Sequence, residues 1–254
     1  GGNFGTAIGP LLAAFIVVPL GRPSVAAFCI LAMIGMAVLG YVSRWYAGAL
    51  QAAKGRKPMD TALPLPRNRV ILALVVLAFL TFTKNIYMAS ISSYYTFYLI
   101  ETFSLTTQES QMMLFLFLGA VAAGTILGGP FGDRFGTLTV IWISILGVLP
   151  FTLALPFADL FWTGVLTVII GVLIASAFPA IVVTAQELVP GRVGMIAGIF
   201  FGFAFGMGGI SAAVLGILAD QHGIRMVYLI CAWLPAMGVL TVFLPSRRAL
   251  RGGR

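Results

Sequence analysis

Eight stretches of the chain are apolar almost without interruption: residues 1–20, 24–42, 70–100, 111–129, 138–157, 162–184, 193–218 and 224–244. A helix needs roughly 20 mainly apolar residues to cross about 30 Å of hydrocarbon, and each run meets that length or comes close. Only helices and closed barrels satisfy their backbone in lipid. The runs lack the period-two alternation of barrel strands, so the pattern predicts an all-α membrane protein with eight spanning helices.

Polar residues between the runs sort by side. Residues 44–69 carry Arg44, Lys54, Arg56, Lys57, Arg67 and Arg69 against a single acid, Asp60. Arg134 and Arg192 occupy two later links, and Arg247, Arg248, Arg251 and Arg254 the tail. If the helices alternate direction, these twelve basic residues share one face, and only Arg22 and Arg225 fall on the other. The basic side of a multi-pass protein is cytoplasmic, which places the 44–69 segment and the C-terminus inside the cell. That segment is the longest link and holds Pro58, Pro64 and Pro66, as expected of a tether between two bundles. Six runs follow it and two precede it, and transporters are often built from two equal halves. Residues 1–43 are therefore expected to be the last two helices of an N-terminal six-helix bundle. Residues 44–69 would be the linker, 70–246 a complete C-terminal bundle, and 247–254 a basic tail. The first run opens on Gly1 with no cap and no charged leader, so the chain reads as the later part of a longer protein and not as one led by a signal peptide.

Composition agrees. Hydrophobic residues make up 60% of the chain and charged residues 9%, against about 25% charged in soluble domains. Lipid is the expected outer solvent. The formal charge of +8 is confined to links, which argues against a nucleic-acid-binding face. Cys29 and Cys231 lie far apart in apolar runs and read as packing residues. No metal cluster, phosphate-binding loop, nucleophile motif or paired acid and base is present, so no cofactor, metal or catalytic residue is expected.

One run is unlike the others. Residues 70–100 place Lys84 and Asn85 deep inside a span, with Lys84 about 21 Å of helix rise beyond Val70. A charge at that depth usually faces a water-filled cavity or a partner. Lys84, Asn85, Tyr87, Ile91 and Tyr94 are the candidate substrate-binding wall, with Lys84 attracting an anionic group. The competing reading has Lys84 snorkelling to the outer headgroups and the tyrosines forming an interfacial belt; from Tyr94 onward the belt is the better reading. Glu187 reads as a cap or gate at a cytoplasmic helix end, and Asp220 and His222 as residues of an external loop. No run holds an Asp or Glu in its interior.

Residues 128–137, GGPFGDRFGT, set Gly129, Asp133, Arg134 and Gly136 in a pattern that resembles the signature loop of the major facilitator superfamily. The glycines suit a tight turn, and the Asp complements a neighbouring helix N-terminus. Thr137 and Leu138 depart from the basic continuation of that motif. Gly5, Gly9 and Pro10, at a spacing that lets helices approach closely, resemble the fifth-helix motif of the superfamily's antiporters, with Ala13 and Ala14 where glycines are common. Gly194, Gly198, Gly202 and Gly206 repeat the spacing and are expected to serve packing and bending.

The segments GGNFGTAIGPLLAAF, MASISSYYTFYLI, LFLFLGAVAAGTILGGPFGDRFG and ISILGVLPFTLALPF are similar, in order and over essentially the whole chain, to the fosmidomycin resistance transporter family. The resemblance implies a twelve-helix bundle in a bacterial inner membrane, of which helices five to twelve are present. It implies export of a small molecule, anionic and phosphonate-like, exchanged for protons by alternating access, from a monomer. An uptake symporter of the same fold and a non-transporting receptor remain as alternatives.

Overall fold

Apolar runs that cannot share their peptide groups with water must bond them locally, and the computed structural model of the chain is accordingly helical. It describes residues 2–52 and 65–245, with no strand among them. Seven helices are long and apolar enough to cross a membrane, and an eighth apolar helix is shorter. In chain order they are α1 (Gly5–Leu20), α2 (Pro23–Gly48), α3 (Arg67–Phe103), α4 (Thr107–Phe135), α5 (Thr137–Phe157), α6 (Leu160–Leu188), α7 (Val193–His222) and α8 (Ile224–Phe243).

The helices match the eight predicted runs but extend past most of their ends, because polar residues beside a span continue its hydrogen-bonding. Three expectations are corrected by the structure. The second helix continues through Arg44 to Ala52, so the tether does not begin at residue 44. Residues 53–64 and the basic tail lie outside the described residues. The 128–137 segment is also not a loop: helical hydrogen bonding runs through Gly129, Asp133 and Arg134 to Phe135. The turn is made by Gly136 alone, at φ +97°, a conformation open to glycine and strained for other residues. Asp220 and His222 likewise sit in the last turn of α7, which Gly223 closes at φ +81°.

Helix starts are set by side chains. Thr106 and Glu109 form a reciprocal capping box before α4, and Asp159 caps α6 by accepting from the Trp162 N–H at 2.8 Å. In α1 a π-helical turn, Ala13–Val17, precedes Pro19. A proline ring clashes with the carbonyl four residues back, and the wider turn accommodates it.

Helices α3 to α8 pack on one another, and α1 lies against α4. The tightest seam joins α4 to α6: a Cβ at Gly124 would meet the Val172 backbone, and one at Gly128 would stand 2.9 Å from the Ser176 Cα. Small residues allow such approach where lipid supplies no hydrophobic drive between helices. By contrast, nothing stands within 4 Å of a Cβ built at Gly5, Gly9, Gly194, Gly198, Gly202 or Gly206. The glycine spacings singled out in α1 and α7 are therefore not sites of close packing among the described residues; α1 turns Ala7 and Ala14 inward instead. Cys231 is buried as expected, whereas Cys29 is exposed.

Two apolar cores fill the bundle. One gathers Leu77, Leu80, Ile141, Ile181 and Leu188; the other gathers Tyr87, Ile91, Tyr95, Phe117 and Ile170. Along α3 they meet at Thr81–Asn85, a polar step between two greasy layers.

Candidate functional site

Helix α3 is 37 residues long. At 1.5 Å per residue, Lys84 stands about 26 Å from one end and about 28 Å from the other. Its side chain is 9% exposed and reaches neither end, so the structure sets it on an internal wall and not at a headgroup level. The ammonium lies 5.0 Å from the centroid of the Phe178 ring, within cation–π range. Among the described residues no carboxylate pairs with it; Asp133, Asp159, Glu187 and Asp220 all sit at or beside helix ends.

Lys84 lines a cavity of about 590 Å³ shared by α3, α4, α6 and α7. Its polar wall is Lys84, Asn85 and Thr125, and the rest is apolar. The Asn85 amide donates to the Thr81 carbonyl at 2.8 Å, which fixes the side chain and leaves its oxygen and second N–H for a ligand. Phe178 meets Phe201 edge to face, with centroids 4.9 Å apart, and Phe201 stacks loosely on Phe205. The volume falls in the range of small-molecule sites, about 300–1,000 Å³. Chemically the cavity offers one cation, one amide and one hydroxyl against an aromatic wall. That combination suits a small anion with a short apolar part.

Of the five candidates on α3, the structure brings Lys84 and Asn85 to this cavity and leaves out the other three. Successive residues turn about 100° around a helix. Asn85 and Met88 lie to one side of Lys84, where the cavity opens, and Tyr87, Ile91 and Tyr94 lie to the other. Ile91 is fully buried in the apolar core. Tyr94 forms no interfacial belt either: its hydroxyl donates to the Ala212 carbonyl at 2.6 Å, tying α3 to α7. Tyr87 is 2% exposed and borders a second, much smaller space behind Lys84.

Sequence reasoning missed Thr125, Phe178, Pro179, Phe201 and Phe205, which complete the wall. An apolar side chain lining a cavity has the same sequence signature as one facing lipid. The available signal was Pro179 in mid-helix beside the small residues Ala175, Ser176, Ala177 and Ala180. In the signature segment, Gly129, Asp133 and Arg134 are exposed, and the Arg134 guanidinium lies over the Phe135 ring at 5.6 Å. This segment stands at the end of α4, away from the cavity lining.

Comparison with known proteins adds an independent line. The family model described as Major Facilitator Superfamily matches residues 1–213 and, in a second alignment, 77–253. Among curated proteins, the chain is similar to the "Fosmidomycin resistance protein" of Escherichia coli (strain K12), at 59% identity over 98% of the chain and 61% of that protein. It is also similar to the "Uncharacterized MFS-type transporter YfnC" of Bacillus subtilis (strain 168), at 39% identity over 99% of the chain and 62% of that protein. The chain thus spans less than two thirds of the length of either relative.

Proposed function

The chain belongs to the major facilitator superfamily, and from that premise we propose that it works as a secondary active transporter, not an enzyme, exporting a small anionic molecule. The first two helices, through Ala52, would belong to one six-helix bundle and the six helices from Arg67 onward would form the whole of a second, joined by the basic segment between them. The relatives are longer than the chain, which leaves room for the further helices that a twelve-helix protein requires. The membrane is the bacterial inner membrane, and the distribution of basic residues supports a cytoplasmic C-terminus.

One observation carries the substrate class: a cation buried in the middle of a span, on a ligand-sized cavity, with no paired carboxylate among the described residues. Holding Lys or Arg at the centre of a membrane helix costs about 2.5–3.5 kcal/mol on insertion scales. An anionic substrate offsets that cost whenever it occupies the cavity, while the Phe178 ring stabilises the ammonium between cycles. Fosmidomycin, a small phosphonate, has this chemistry, and the name of the Escherichia coli relative supports it as the first substrate to try. The protein acts as a monomer in which rocking of the two bundles exposes the cavity to each side in turn, with proton entry driving export.

The test is fosmidomycin susceptibility of a sensitive bacterium expressing the intact gene, beside an efflux assay with and without a protonophore. The reading predicts a raised inhibitory concentration and efflux that the protonophore abolishes. Unchanged susceptibility with confirmed membrane expression sinks the drug assignment. Protonophore-resistant efflux sinks the proton coupling.

A further inference from the structure

The rings beside Lys84 form a connected series. Phe178 on α6 takes the ammonium over its face, with 5.0 Å between charge and centroid. Phe201 on α7 meets Phe178 edge to face, with centroids 4.9 Å apart and planes at 81°. Phe205 lies one turn along α7, on the same face as Phe201, and stacks on it at 6.4 Å. All three rings line the large cavity, so the series leads away from the cation along one wall. The cavity is two-sided in its chemistry. Its polar side chains, Lys84, Asn85 and Thr125, come from α3 and α4, whereas everything that α6 and α7 contribute is apolar. Phe201 and Phe205 remain 45% and 77% exposed, so among the described residues nothing covers them and their faces are open to a ligand. A bare anion such as inorganic phosphate, held at Lys84, would fill little of about 590 Å³ and leave both rings against water. The hydrophobic effect favours an occupant that covers them.

We propose that the cavity has two subsites, an anion subsite at Lys84 and a tail subsite at Phe178, Phe201 and Phe205, and that Phe201 determines specificity by selecting organic anions with an apolar tail over inorganic ones. Phe201 holds that position because it is the middle ring. Phe178 is engaged by the ammonium, and Phe205 lies at the end of the series furthest from the charge. A tail that leaves an anion on Lys84 passes Phe178 and comes to rest against Phe201. Each methylene fully buried there tightens binding about fourfold. The assignment rests on the reading of Lys84 as the anion-binding group, and the two are separable because one concerns the head of the ligand and the other its tail.

Straight-chain phosphonates from methyl to pentyl, competing with labelled fosmidomycin for the purified full-length protein in lipid nanodiscs, measure the tail subsite. In the wild type, affinity should rise about two- to fourfold per methylene. In Phe201→Ala, methylphosphonate should bind as before while the gain per methylene falls below about 1.5-fold. Phe201 belongs to neither apolar core, so its removal leaves the fold standing, and Phe201→Leu, which keeps apolar bulk, should restore most of the gain. Phe161→Ala removes another exposed phenylalanine, at the start of α6 and off the cavity wall, and should change nothing. Lys84→Ala should weaken every member by the same factor and keep the gain per methylene. A flat series in the wild type, or one that Phe201→Ala leaves as steep, overturns the tail subsite while Lys84 keeps its role. A Phe201-dependent series that Lys84→Ala leaves at full affinity overturns the reading of Lys84 and keeps the tail subsite. If the wild type binds no fosmidomycin, direct titration with labelled pentylphosphonate replaces the competition, and absence of binding there overturns both.

Discussion

Replacing Gly124 by alanine adds one methyl group at the closest approach of two helices. That methyl would lie 2.7 Å from the Val172 Cα and 2.8 Å from its carbonyl carbon. Carbon atoms rest at about 3.5–4.0 Å, and backbone cannot swing aside as a long side chain does. Helices α4 and α6 must therefore part by on the order of 1 Å. Overpacking of this kind costs about 1–3 kcal/mol, offset in part by the better helix propensity of alanine, worth about 1 kcal/mol. A net loss of up to about 2 kcal/mol is expected. The control lies on the same helix: Gly119 has nothing within 4 Å of its Cβ position, so Gly119→Ala should be neutral or gain up to about 1 kcal/mol. Thermal unfolding of the two full-length variants in one detergent should separate their midpoints by roughly 5–10 °C. Parting the helices also disturbs the cavity, since α4 supplies Thr125 and α6 supplies Phe178. A Gly124→Ala protein that melts at or above Gly119→Ala would refute the reasoning, because it would mean that the seam is not closed as described.

Gly136→Ala forces an L side chain into φ +97° and is expected to cost about 1–3 kcal/mol, read as a lowered melting midpoint. Asp159→Ala removes the cap of α6 and should cost about 1 kcal/mol, with Asp159→Asn retaining most of the stability; the same melting assay checks both.

The number and order of the helices were legible because lipid imposes a simple rule: a span is long, apolar and helical. Where the helices end was less legible, because polar residues at an interface extend a helix without leaving a hydropathy signal. The segment through Gly129, Asp133 and Arg134 shows this: glycines and charges read as a loop, yet the chain stays helical until Gly136. Lys84 stood out because a charge in a span is rare, and Asn85 stood out beside it. Tyr87, Ile91 and Tyr94 share a stripe with Lys84, but which side of that stripe opens into a cavity depends on how α3 is rotated against α4, α6 and α7, and no local pattern encodes that rotation. The same gap hid the α4–α6 seam. Gly124 and Gly128 have the spacing of the glycines in α1 and α7, and only tertiary structure shows which glycines meet a neighbour.

The central claim is that Lys84 holds the anionic group of a transported substrate, and its most direct test is the affinity of the purified full-length protein for labelled fosmidomycin, wild type against Lys84→Ala and Lys84→Arg. A hydrogen bond to a charged group is worth about 1.5–3 kcal/mol, so Lys84→Ala should weaken binding about 10- to 100-fold with the melting midpoint kept or raised. Lys84→Arg, which keeps the charge, should recover part of the loss. Undiminished affinity in a folded Lys84→Ala protein would contradict the account.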